Sequence, residues 1–250
     1  MTIRGIGLHS GEFSTVRFHL AEGPVRFRVG GLELRPLASA VVDTTRCTVL
    51  GQQNLRLMTV EHLLAALFIR GIWEGLVLEV TGPEIPILDG SAREWLAALA
   101  DFPALGPQPV PLNGAIRVVE GRSSVLAQPG EQFSLTATVL FPHPKIGYQQ
   151  VQCPPTSLEE LAAARTFGFL HEVKRLQASG LIKGASLENA LVFSEHGFVN
   201  TPRKLHEPVW HKALDFLGDL YLAGRPYRGQ FVAHRASHRL HVELAKLLQG

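Results

Sequence analysis

Residues 103–114 read PALGPQPVPLNG, a run that holds four prolines and two glycines. Proline fixes φ and removes a backbone donor, so neither a helix interior nor a central strand can run through that density. The stretch reads as a linker and divides the chain into candidate domains at 1–106 and 113–250. The same order of elements is expected on each side of it. In the first half, STVRFHL (14–20) and PVRFRV (24–29) alternate as half-buried strands do, and Gly30-Gly31 before LELRPL is a hairpin signal. Met58, Val60, Leu63, Leu64, Leu67 and Phe68 then recur at helical spacing, with Thr59 available as a cap and Gly71 as the stop. A strand, GLVLEV (75–80), and a helix, SAREWLAALADF, close this half. Ser91 followed three residues on by Glu94 predicts a capping box at the start of that helix.

Beyond the linker, AIRVVEG, SSVLAQ and FSLTATVLF read as strands, followed by a helix over about 208–223, the strand RGQFVAH and a last helix, SHRLHVELAKLL. Strands gathered before helices argue for α+β layering and against the alternating winding of a nucleotide-binding parallel sheet. Two such halves can cover their apolar helix faces by packing helix on helix. The second half carries extra material from Arg165-Thr166-Phe167 onward, with a short helix in LHEVKRLQASG and a strand in NALVFSE. It reads as an inserted βαβ-like unit at about 166–200, whose apolar residues could serve a core or a greasy substrate.

Charge and residue usage exclude several classes. Lys and Arg number 24 against 22 Asp and Glu, a net of +2 with no basic run, which argues against a nucleic-acid partner. No stretch approaches the ~18 apolar residues of a membrane span, and MTIRGIGLHSGEF lacks the apolar core of a secretory signal. Cys47 and Cys153 cannot make a disulfide framework, so a reducing cytoplasm is expected. Eleven histidines are the one lopsided count, and they point to metal or acid–base chemistry.

Three segments could carry it. In WHKALDFLGDL (210–220), His211 and Asp215 stand at i and i+4 and share one helix face, where an imidazole and a carboxylate can close on a single Zn²⁺. An isolated H-x₃-D is more often a solvated face. Here Asp219 continues the row, Lys212 sits beside it and the rest of the helix is apolar, so the charges need partners or an ion. In TVEHLLAAL (59–67), adjacent Glu61 and His62 in the first turn could divide the work of proton acceptor and ligand; the plainer reading is a dipole-stabilised Glu and a satisfied His. In AHRASHRLH (233–241), one of His234, His238 and His241 could be a general acid if an acidic neighbour restores its proton, and two of the three are expected at the surface.

Six ordered motifs, GIGLHSG (5–11), TVEHLLAAL (59–67), PEIPILDGSA (83–92), ARTFGF (164–169), HKALDFLGDL (211–220) and HRASHRL (234–240), together resemble one family. It is the zinc-dependent UDP-3-O-acyl-N-acetylglucosamine deacetylases of bacterial lipid A biosynthesis. The resemblance implies two similar α+β domains, sheets outside and helices between them, with the inserted unit forming a passage for the acyl chain. It implies His62, His211 and Asp215 as zinc ligands, Glu61 as general base, and His238 as general acid or positive charge near the oxyanion. Thr166 would help hold that oxygen, Phe167 would border the substrate, Lys212 would assist binding and Asp219 would orient His238. Leu176, Leu181 and Ile182 of the inserted unit are expected to line the acyl passage. The implied reaction is hydrolysis of the N-acetyl group of an acylated UDP-amino sugar by a cytoplasmic monomer with no membrane span; the rival readings are a zinc amidohydrolase of another acylated amino sugar and a non-catalytic binding homologue. Two departures, Glu74-Gly75 at a strand start usually led by Asn and Glu172 where Asp is common, bear on loop geometry and acyl preference.

Overall fold

The computed structural model describes residues 1–249. Strands β1 (Thr2–Ile6), β2 (Phe13–Pro24), β3 (Arg26–Val29) and β4 (Leu32–Leu34) open the chain. A small antiparallel sheet of β5 (Val41–Asp43), β6 (Val49–Gln52) and β7 (Leu55–Leu57) follows, then α1 (Glu61–Arg70), β8 (Glu74–Val80) and α2 (Arg93–Ala98). The first large sheet has the order β1-β2-β8-β3-β4, antiparallel except for the β3/β8 pair. As the sequence predicts, Gly30 and Gly31, both at positive φ, turn β3 back into β4, with Val29 paired to Leu32.

After β9 (Val110–Pro111), the second half supplies β10 (Ile116–Glu120), β11 (Ser123–Gln128), β12 (Ser134–Phe141) and β13 (Gly147–Cys153). Next come α3 (Leu158–Leu161), β14 (Phe167–Phe169), α4 (Val173–Ala178), β15 (Leu191–Phe193) and α5 (Glu207–Tyr221), and finally β16 (Tyr227–Arg228), β17 (Gln230–His234) and α6 (His238–Gln249). The second large sheet has the order β10-β11-β17-β12-β13, and only its β12/β17 pair is parallel. The two sheets therefore share one topology: four strands in succession, then a last strand inserted between the second and the third. The proline-rich stretch between them is tied down by β9, which pairs with β16. Strands β14 and β15 pair in parallel with α4 between them.

Each sheet presents one apolar face inward. In β2, Val16 and Phe18 are buried while Arg17 and His19 face out; in β17, Phe231 and Ala233 are buried. These faces and the helices form one contiguous hydrophobic cluster, within which α1 packs on α5, α2 on α1 and α6 on α5. Trp73 stacks on Tyr221 at 4.2 Å, and the Tyr221 hydroxyl donates to the Ile72 carbonyl at 2.8 Å. Gly71 ends α1 in the left-handed conformation, as its position predicts. Among the described residues, no helix is long and apolar enough to cross a membrane.

Both predicted N-caps are corrected. Thr59 does not cap α1: it sits in the left-handed region at φ +58° and donates its hydroxyl to Glu84 Oε1 at 2.6 Å. A β-branched residue is rarely held there, and this kink turns the chain from extended pairing into the helix. Nor does Ser91 make a capping box. Its Oγ donates to Asp89 Oδ1 at 2.7 Å and accepts from the Arg93 N–H at 3.2 Å, an Asx-type turn, and α2 starts at Arg93 without a side-chain cap.

Candidate metal and catalytic centre

Where α5 crosses the first turn of α1, three side chains converge. His211 and Asp215 lie one turn apart on α5, with His211 Nε2 at 3.3 Å from Asp215 Oδ1; His62 Nε2 reaches the same oxygen at 3.7 Å. The prospective ligand atoms of His62, His211 and Asp215 all lie within 4.8 Å of one another, and all three residues are buried. Asp215 Oδ1 has no hydrogen-bond partner although it is fully enclosed. His211 Nδ1 lies 3.2 Å from the Ala164 carbonyl, which holds the proton on that nitrogen and leaves Nε2 bare toward the cluster. A bare imidazole nitrogen facing an orphaned carboxylate oxygen, with a second imidazole beside them, is a donor set that fits a tetrahedral Zn²⁺ with one position open. Burial, the neighbouring His211 and the other local cations push His62 down to about 3, so it stands neutral as a ligand must. Lys212 donates to the other Asp215 oxygen at 2.7 Å.

A second buried cluster adjoins the first. Glu61, next to His62, is fully enclosed; desolvation raises its pKa to about 8, against the pull of His238 and with the push of Asp215 and Asp219. His238 opens α6 and points Nε2 at Glu61 Oε1, 4.0 Å away, and at Asp215 Oδ2, 3.8 Å away. Its Nδ1 meets Asp219 Oδ2 at 2.7 Å. Burial alone would lower the His238 pKa, but Asp219 and Asp215 overcome it and raise the group to about 9. The cation the sequence argument required is therefore available at neutral pH, and Asp219 supplies it.

One member of this cluster was not singled out from sequence, and another was placed differently. Thr48, between β5 and β6, donates its hydroxyl to Asp219 Oδ1 at 2.5 Å and its N–H to Glu61 Oε2 at 3.1 Å. His241 was expected at the surface; it is 2 % exposed, and its Nδ1 lies 2.9 Å from Asp219 Oδ2. His238 is likewise buried, so of the three histidines only His234 is part-exposed, beside Thr138 Oγ1 at 2.8 Å. The expectation of two surface histidines failed because one turn of α6 carries both His238 and His241 to the same buried carboxylate.

The clusters open into a cavity of about 290 Å³ whose lining includes Glu61, His62, His211, Lys212, Asp215, His238, Thr166 and Phe167. A second, largely apolar cavity of about 120 Å³ leads off between β14, β15 and α4, lined among others by Phe167, Phe169, Leu176, Ile182 and Val192. Leu181 is not part of that lining: its N–H turns back to the Leu176 carbonyl at 3.0 Å, closing the end of the helical turn. Thr166 is pinned at the junction by its N–H to the Gly90 carbonyl and by its own carbonyl, which accepts from Leu191 N–H. His9, also missed, lines both cavities with both ring nitrogens unpartnered. Burial lowers its pKa against the opposing Glu84 carboxylate. Glu84 in turn accepts the backbone N–H groups of His9 and Ser10 and the Thr59 hydroxyl, joining the GIGLHSG loop to the start of α1.

The family model described as LpxC, UDP-3-O-acyl N-acetylglycosamine deacetylase, matches residues 1–249. A UDP-3-O-acyl-N-acetylglucosamine deacetylase of Thermosynechococcus vestitus is 42% identical over 256 residues, covering 98% of this chain and 90% of the relative. One of Nostoc sp. is 42% identical, covering 97% and 93%, and one of Leptospira biflexa is 36% identical, covering 100% and 87%.

Proposed function

Because this chain belongs to the UDP-3-O-acyl N-acetylglycosamine deacetylase family, we infer that it hydrolyses the N-acetyl group of UDP-3-O-acyl-N-acetylglucosamine in lipid A biosynthesis. The products are acetate and the free 2-amino sugar nucleotide. The observation that carries the reading is the meeting of Glu61, His62, His211, Asp215 and His238 at one cavity that continues into an apolar one. An amide and a fatty chain on one sugar need that pairing of polar and apolar space.

The reading assigns His62, His211 and Asp215 as ligands of one zinc ion. Zinc held there would lower the pKa of a water and polarise the acetyl carbonyl. Glu61 takes the proton of the attacking water as the new C–O bond forms. His238, cationic through Asp219, and the Thr166 hydroxyl face the oxygen that becomes negative. The C–N bond then breaks as the sugar nitrogen receives a proton. Lys212 holds Asp215 and adds positive charge to the cavity wall. Phe167 borders the sugar, and Leu176 and Ile182 line the space for the acyl chain. Residues 1–106 and 113–250, the latter with its inserted unit at about 166–200, are taken as the two domains, supported by the shared strand order. The enzyme is read as a cytoplasmic monomer.

The decisive experiment is acetate release from the acylated UDP-sugar, with and without a chelator and with zinc restored. Activity that a chelator removes and zinc returns is the expected result. Full turnover by metal-free protein, or none by the zinc-loaded protein, overturns the reading.

A further inference from the structure

Three carboxylates lie beside His238, and one residue contacts a single oxygen of two of them, Glu61 and Asp219. Thr48 donates its main-chain N–H to Glu61 Oε2 and its hydroxyl to Asp219 Oδ1. The oxygens left over are the two that face His238: Glu61 Oε1 toward Nε2 and Asp219 Oδ2 toward Nδ1. Thr48 is fully buried, and its carbonyl also lies 3.4 Å from the Val60 N–H at the entry to α1.

We propose that Thr48 is a positioning residue that fixes which oxygen of Glu61 and which oxygen of Asp219 takes part in proton movement. The inference rests on the roles given above to Glu61 and His238 and goes beyond them. A carboxylate held through one oxygen cannot rotate to exchange its two oxygens, so the other is presented in one direction. A hydroxyl bonded to a buried carboxylate is also among the stronger hydrogen bonds a protein makes. Without it Asp219 keeps only the Oδ2 contacts to His238 and His241, its Oδ1 loses its fixed direction, and the plane of the carboxylate and the His238 ring that it orients can tilt together. Thr48 touches no substrate-facing surface of the cavity, so its effect is on rate and not on binding.

The test compares zinc-loaded Thr48→Val, which keeps the shape and the N–H but lacks the hydroxyl, with Thr48→Ser, which restores it. Steady-state kinetics, zinc per chain and thermal melting are read on each. The expected result is a kcat about tenfold or more below the parent for Thr48→Val, with KM and zinc content within twofold, and recovery of most of that loss in Thr48→Ser. In an Asp219→Ala background the valine substitution should add little, because the two act as one unit. Wild-type kcat in Thr48→Val, equal losses in valine and serine, or full additivity with Asp219→Ala each overturns the proposal. Should the valine protein not fold, Thr48→Ala against Thr48→Ser carries the same comparison. Glu61→Gln is run alongside: if it keeps full kcat, the reading of the base fails; if it loses kcat while Thr48→Val keeps it, only the positioning inference fails.

Discussion

Gly218 of α5 lies against the carbonyl of Glu61 of α1 so closely that a β-carbon at Gly218 would overlap the carbonyl oxygen and come within 2.9 Å of the Glu61 Cα. The helices meet backbone to backbone at the residue that carries the proposed base. That contact sets the distance from Glu61 and His62 to His211, Asp215 and Asp219, which all ride on α5. The cluster of His62, His211 and Asp215 is thus held together by two helices whose approach a single hydrogen side chain permits.

Gly218→Ala should therefore act on both stability and the site. The added methyl meets main chain and not the end of a flexible side chain, so relief requires the helices to part. Overpacking of this kind costs about 1–3 kcal/mol. Thermal melting should show the loss, and zinc titration should show weaker binding, because His62 moves away from its two partners. Unchanged melting and unchanged zinc affinity would mean that the helices are not in the contact described.

Substitutions in the first turn of α1 should separate ligand from base. Glu61→Gln should bind zinc as the parent does and lose most of its kcat, since an amide cannot take the proton. His62→Ala and Asp215→Ala should lose the metal itself. Zinc per chain after dialysis, measured beside kcat, checks the division. Loss of metal in Glu61→Gln with retention in His62→Ala reverses it.

Of the proposed ligands, His211 and Asp215 were legible from spacing, one turn apart in one helix; Glu61 and His62 stood out as ionisable residues in an apolar run, and joining His62 to that pair rested on the family resemblance. The strand-then-helix order of both halves was legible for the same reason, since period 2 and period 3.6 are properties of neighbouring residues. Thr48 was not: its two bonds reach Glu61 and Asp219, the latter 171 residues away, and a loop threonine carries no periodic signal. His9 and Glu84, 75 residues apart, were invisible for that reason too. The caps failed differently. Thr59 and Ser91 are good capping residues by type, but each stands one residue before the cap position, taken by Val60 and Ala92, and donates its hydroxyl to a carboxylate outside the helix.

A buried ion pair holds the segment that carries Thr166. Glu207 accepts from the Arg165 N–H and Nε, both at 3.0 Å, and from the Arg203 N–H at 2.6 Å. Burial would raise its pKa, but the Arg165 bonds and charge outweigh it and leave the group below the usual carboxylate value. A depressed folded pKa means that its share of stability is present above the unfolded value of about 4.3 and is lost as pH falls through the folded value. Glu207→Gln leaves the Arg165 guanidinium buried without its counter-charge, a loss of about 3 kcal/mol. Urea denaturation of parent and variant at neutral pH and at pH 4 should show the gap narrowing in acid. A gap independent of pH removes the ionic explanation.

His241 should matter where His234 does not. His241 is enclosed and bonded to Asp219, and burial keeps it neutral, with Nδ1–H as donor. Removing it leaves a charged oxygen one donor short and a hole beside Phe216, whose ring lies 5.1 Å away. His241→Ala should lower stability by about 2 kcal/mol, the scale of a lost bond to a charged group. His234→Ala, on a half-exposed ring, should fall within about 0.5 kcal/mol of the parent. Equal melting temperatures for the two variants would contradict the placement of His241.

The last prediction concerns the pH profile. The mechanism needs Glu61 without its proton and His238 with one, so kcat/KM should rise through the first group and fall through the second, giving a bell. Burial raises Glu61 to about 8, while Asp219 and Asp215 raise His238 to about 9 against burial. A zinc ion among the three ligands favours the anion of one and disfavours the cation of the other, so both limbs of the loaded enzyme should lie below those values. Asp219→Ala removes the charge that holds the proton on His238, and the falling limb should move down by about one unit or more. The rising limb should also move down, by less, because a negative neighbour of Glu61 has gone. His238→Ala should lose about 10²-fold in kcat, the scale of a lost general acid or oxyanion donor, with zinc content unchanged. Profiles of parent and Asp219→Ala measured at saturating zinc decide the matter: a falling limb that stays in place when Asp219 is gone means that some other group, and not His238, carries the proton.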